Sequence, residues 1–134
     1  MQIFNLKLEN FRNYIKSHRS IDVNQDGYLS AEEIANTNAI YVSNMNVSSM
    51  KGIEFFTNLE WLYCDRNNLK SLDVSANKKL IALECFENEI QALDLSMLPD
   101  LERLECENNA LTSLDLSHNP KLQRLDCGRN NLIS

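Results

Sequence analysis

The chain has 134 residues, of which 43% are hydrophobic, 24% charged and 7% aromatic, the make-up of one folded domain and not of a disordered segment. A net charge of -6 leaves no cluster of Lys and Arg to neutralise phosphates, so nucleic acid drops out as a partner. Its longest apolar stretches, around Ile53, Phe55 and Phe56, fall far short of the roughly 18 residues that cross a bilayer, which removes membrane insertion.

The start, Met1 to Lys7, lacks the basic head and unbroken apolar core of a secretory signal. A secreted place therefore needs a signal from outside this sequence, and a cytoplasmic place stays open. Leu6, Leu8, Phe11, Tyr14 and Ile15 recur at helical spacing, which predicts a helix with one apolar face in search of a partner. With three Gly and two Pro in the whole chain, turns must be made by other residues, and Asn, which tolerates turn conformations, is the expected one.

The next stretch reads Asp22-Val23-Asn24-Gln25-Asp26-Gly27-Tyr28-Leu29-Ser30-Ala31-Glu32-Glu33 and fits the calcium-loop pattern D-x-[DN]-x-[DN]-G-x5-E at every specified position. Calcium takes six to eight oxygens. The loop offers them from the side chains of Asp22, Asn24 and Asp26, the carbonyl of Tyr28, Ser30 through water, and a bidentate Glu33. Gly27 permits the sharp turn, and Leu29 supplies an inward apolar contact. Ser30 to Glu33 is also a capping-box pattern, which starts a short exiting helix through about Asn36. One EF-hand is complete and no second follows, so 1–36 is expected to be a helical EF-hand-like N-terminal cap with a structural calcium ion. The expected affinity is that of extracellular modules, roughly 10⁻⁴ to 10⁻³ M.

From residue 37 the sequence repeats, and a fixed period decides architecture. Leu59, Leu80, Leu101 and Leu122 are spaced by 21, followed in each unit by Leu62, Leu83, Leu104 and Leu125, then Cys64, Cys85, Cys106 and Cys127. Asn67, Asn88, Asn109 and Asn130 form the next column, and Leu69, Ile90, Leu111 and Leu132 the last. Each unit reads Leu-x-x-Leu-x-Cys-x-x-Asn-x-Leu. A less regular unit of 22 residues precedes them over 37–58, with Ile40, Val42 and Val47 inward. The pattern resembles the leucine-rich-repeat family, with Cys at the sixth position in place of Leu. The segment 48–59 resembles the first repeat of bacterial cell-surface proteins of the internalin type, as does the cap. The resemblance implies an α/β solenoid over 37–134, with units starting near 37, 59, 80, 101 and 122. Stacked 21-residue repeats would form a short curved parallel β-sheet.

Within each unit Asp73, Asp94 and Asp115 form a further column, read as turn acceptors for nearby backbone N–H groups and not as a metal or catalytic row. The Asn column is read as buried amides bonded to neighbouring backbone. The cysteines, at one place in every unit, are read as small apolar fillers. Their side chains run parallel and do not face one another for disulfides, and no Cys-x-x-Cys pairs invite zinc.

Residues beside the inner Leu and Cys should line the concave face. Tyr41, Trp61, Tyr63 and Phe86 gather at its capped end, and Glu84, Arg103, Glu105 and Glu107 beyond them. Aromatics ringed by charge make protein-binding hot spots, so the expected partner is a protein. An enzyme is not expected: His18 and His118 would lie far apart, and Glu84 next to Glu105 offers only a carboxylate pair of a kind that solenoid faces carry without catalysis. The alternative is assembly. The unit from Leu122 is incomplete, so either further repeats belong after it or a homodimer would bury Leu122, Leu125 and Leu132 of two copies against each other. The resemblance implies a cell-surface or secreted, non-enzymatic binding module.

Overall fold

The computed structural model describes residues 2–4, 21–24, 26 and 28–133. The helix expected over 6–15, His18, Gln25 and Gly27 lie outside the described residues. At the N-terminal end β1 (Gln2–Phe4) pairs antiparallel with β2 (Leu29–Ser30), a pairing that no local pattern in the sequence announces. The expected exiting helix follows as α1 (Ala31–Ala35). Ser30 starts it by accepting from the Glu33 N–H at 3.1 Å while Glu33 reaches back to the Ser30 N–H at 2.9 Å. Five residues make a marginal helix on their own, and this reciprocal cap, with Ile34 buried beneath, holds it.

Five strands then stack in sequence order into one parallel sheet: β3 (Ala39–Tyr41), β4 (Trp61–Tyr63), β5 (Ala82–Glu84), β6 (Arg103–Glu105) and β7 (Arg124–Asp126). Register is strict, Leu62 facing Leu83, Leu83 facing Leu104 and Leu104 facing Leu125. β3 joins in the same register, Ile40 facing Leu62, so the 22-residue first unit carries its extra residue outside the strand. A 3₁₀ turn at Ile53–Phe55 follows Gly52, whose φ of 109° suits glycine. Ile53 and Phe56 lie buried in the core.

The core is a column of like on like. Leu59, Leu62, Leu69, Leu80, Leu83, Ile90, Leu101, Leu104 and Leu111 are all sealed from water. Burial thins at the far end, where Leu114, Leu116, Leu122, Cys127 and Leu132 are only partly covered and Leu125 is 40% exposed. No helix among the described residues is long and apolar enough to cross a membrane.

The turns depart from expectation in one respect. The left-handed residue after the five strands is Asn44, Arg66, Glu87, Asn108 and Arg129 in turn, with φ between 52° and 56°, so Asn fills that place in two units and Arg or Glu in the other three, while Asn46 adds a second left-handed Asn in the first unit. The Asn column stands one residue later, and it works through its side chain.

Candidate functional site

The Asn column is a backbone staple. Asn88 donates from Nδ2 to the carbonyls of Cys64, Cys85 and Phe86 at 3.0–3.3 Å and accepts the Leu69 N–H at 3.0 Å. Asn67, Asn109 and Asn130 do the same in their own units. These bonds satisfy carbonyls and amides at the strand-to-loop bends, where the sheet ladder no longer reaches. A second staple escaped the sequence reading. Asn77 donates to the carbonyls of Ile53 and Phe56, and Asn119 to those of Leu95 and Leu98. Their spacing of two periods was the available signal, hidden because Leu98 occupies the intervening place.

The Asp column is structural, as read. Asp73, Asp94 and Asp115 accept the N–H of Ser75, Ser96 and Ser117 at 2.9–3.0 Å, and the serine hydroxyl and N–H hold each carboxyl below its ordinary value. All four cysteines are free thiols. Burial pushes Cys106 up to about 12 and pushes Cys64 and Cys85 up as well, so none of these three supplies a thiolate at neutral pH.

In the 22–33 loop the carboxylate of Glu33 closes back on the start of the motif. Its Oε2 accepts the Val23 N–H at 2.7 Å and its Oε1 the Ser30 N–H. Burial raises Glu33, but these bonds outweigh it and leave the carboxyl below its usual value. Asn24 Oδ1 accepts from the Asp26 N–H and Asp26 Oδ1 from the Tyr28 N–H, which curls the loop inward. Asp22 is 1% exposed.

The outer sheet face carries the expected aromatic group. Register sets Trp61 beside Ala39 and Tyr63 beside Tyr41, and the two tyrosine rings meet edge to face at 5.0 Å between centroids. Tyr41 is 48% exposed; Trp61, Tyr63 and Phe86 are half-buried. Arg66 lies over the Phe86 ring at 5.3 Å. Register also lines up Glu84, Glu105 and Asp126 on successive strands. Arg103 spans the first two, reaching Glu84 at 3.1 Å and Glu105 at 2.7 Å, and Arg124 stands 3.6 Å from the other oxygen of Glu105.

One correction concerns Glu105. Expected on the open face, it is only 8% exposed, because both guanidiniums fold across it. Glu84, Arg103 and Glu107 are partly open. Burial, then the neighbouring Glu105, pushes Glu84 above its ordinary value. Glu107 is pushed up first by burial and then by Asp126, against a backbone bond that pulls it down. One carboxylate oxygen from each of Glu105, Glu107 and Asp126 lies within 4.8 Å of the others.

No protein-family model matches the chain, and no curated protein does. Solved structures do. The functional domain of InlJ from Listeria monocytogenes, described as including a cysteine ladder, is 33% identical with a TM-score of 0.79, over 92% of this chain and 29% of its own. An internalin, InlF, from the same species is 23% identical with a TM-score of 0.79, over 88% of this chain and 35% of its own. A chain of the BIR3–SERK2 complex from Arabidopsis thaliana shares the fold at 20% identity and a TM-score of 0.64, over 71% of this chain and 57% of its own. The chain thus spans about a third of the length of the two Listeria proteins. Its architecture is an internalin-like leucine-rich-repeat solenoid.

Proposed function

We propose that the chain is a non-enzymatic protein-binding module that takes its partner on the open, concave face of the sheet, with a structural calcium ion in the 22–33 loop. The observation that carries the first half is the aromatic group. Tyr41, Trp61 and Tyr63 sit in register on adjacent strands of a rigid sheet, still accessible, beside a charged row. Large rings whose backbone is already fixed cost little entropy to bury against a partner. The test compares proteins retained by the immobilised chain with those retained by a Trp61→Ala/Tyr63→Ala variant and by a Lys70→Ala control far from the rings. The double variant should release the bound protein and the control should keep it. Retention unaffected by the double variant would put the contact elsewhere.

The donor set of the loop supports the second half. Asp22, Asn24, Asp26, the Tyr28 carbonyl, Ser30 and Glu33 are all oxygen donors, the hard ligands calcium selects. The Glu33 bond to the Val23 N–H brings the last ligand of the motif to the residue that follows the first. Glu33 Oε2 accepts the Val23 N–H and Oε1 the Ser30 N–H, so both oxygens face the backbone of the loop. An ion held there would lock the start of the chain against the first repeat. A weak site of this kind suits calcium-rich surroundings, so we place the module at the cell surface or in secretion.

A second reading, self-association, is favoured by one observation: Leu125 is 40% exposed beside partly covered Leu122 and Leu132. Light scattering decides it. A dimer that Leu125→Arg dissociates supports assembly, and a monomer at high concentration removes it.

A further inference from the structure

The aromatic group and the acidic row lie on one surface, and their chemistry defines a partner. At the third, fifth and seventh places of the repeats this face carries Asp65, Glu84, Glu105, Glu107 and Asp126 against Arg103 and Arg124. Both guanidiniums are engaged by Glu84 and Glu105. Arg66, at the rim, lies over Phe86 and within 3.6 Å of Glu87. The charge that remains available on the face is negative. Among the described residues, the Oε1 of Glu107 is buried with no hydrogen-bond partner, while the residue as a whole stays partly open. Asp126 is exposed and one of its oxygens lies within 4.8 Å of one from Glu107, so a docked ammonium would meet both carboxylates together.

We infer that the face selects a basic protein segment, laying lysine or arginine stems on Tyr41, Trp61 and Tyr63 and their charges against Glu84, Glu107 and Asp126. This rests on the reading of the open face as the binding face. The Arg66–Phe86 stack shows the same surface already holding a cation on a ring. Half-buried carboxylates attract a cation more strongly than fully hydrated ones, because less water screens them. The stems add apolar contact that a free ion lacks.

Trp61 is the only tryptophan of the chain, so its fluorescence reports the face alone. The native chain is titrated with a Lys/Arg decapeptide and with a Glu decapeptide, in millimolar calcium and again in chelator, with calorimetry in parallel. The expected result is a saturable Trp61 change with the basic peptide only. Binding should weaken with added salt and fall by about tenfold or more in Glu84→Gln/Glu107→Gln, while the distant Asp94→Asn leaves it unchanged. Both substitutions keep side-chain shape and remove repulsion, and Asp126→Asn serves if the double variant melts early. Equal binding of both peptides, or binding untouched by the acid substitutions while Trp61 still responds, overturns the charge selection and leaves the face as a binding surface. Calorimetric binding with a silent Trp61 overturns both. No binding by either method overturns the inference, as does a Trp61 change produced by calcium alone that blocks the peptide.

Discussion

Asn88 shows how much of this fold rests on one side chain per turn. Its amide uses both Nδ2 hydrogens and Oδ1 on backbone groups of two adjacent repeats, and the residue is buried. Replacing it by Ala leaves those backbone groups buried and unpaired, at about 1–3 kcal/mol for each group left so. Asn88→Ala should therefore lower the denaturant midpoint by more than Asn130→Ala, whose place at the far edge lets water substitute. Equal losses would mean that the amides merely fill space. The Asn, Asp and Cys columns were legible because stacking makes every repeat meet the same neighbours, so identity at a period of 21 reports identity of environment. Asn77 and Asn119 were not, since Leu98 breaks their column. Asn makes the left-handed turn at Asn44, Asn46 and Asn108 as expected, but the backbone needs a positive φ one place before each staple, and Arg66, Glu87 and Arg129 accept it at a cost of roughly 1–2 kcal/mol each.

At the scale of elements, strands three residues long place their outer side chains with little freedom, and the spacing alone predicted which side chains those are. Their mutual cover was beyond the spacing. Glu105 is hidden because Arg103 reaches sideways to Glu84 and back to Glu105, which depends on rotamers and not on periodicity. The β1–β2 pair was equally unreadable, since it joins the chain start to residues far along the sequence without a hairpin signal. The acidic row makes a pH prediction. Glu84 is raised above its ordinary 4.5 by burial and then by Glu105, so the folded state holds its proton more tightly than the unfolded chain does. Its stabilising contribution is complete below pH 4.5 and is lost as pH rises through the folded value. At pH 7 the ionised carboxylate is a net penalty. Glu84→Gln should raise the melting temperature at pH 7, and the gain should vanish below pH 4.5. A variant less stable than the native chain at pH 7 would mean that the Arg103 pair outweighs burial.

For the molecule as a whole, stability in a stacked array is roughly the sum of each repeat and its interfaces, so whatever covers the first repeat stabilises all that follow. That gives the calcium loop a measurable reach. A ligand that prefers the native state adds RT ln(1 + [L]/Kd), about 1.4 kcal/mol at tenfold excess over Kd. In a chain of this size that is a rise of about 4–8 °C in melting temperature. Melts recorded with excess chelator and with several millimolar calcium should differ by this amount. Asp22→Asn/Asp26→Asn should abolish the difference while leaving the chelator curve nearly in place, because amides retain the shape of the loop and lose its charge. A rise confined to a small early transition would mean that the ion orders the loop alone, uncoupled from the repeats. Coincident curves in the native chain would reduce Asp22, Asn24, Asp26 and Glu33 to turn and capping acceptors. The Glu33 and Asp26 bonds to Val23, Ser30 and Tyr28 would then account for the motif without an ion.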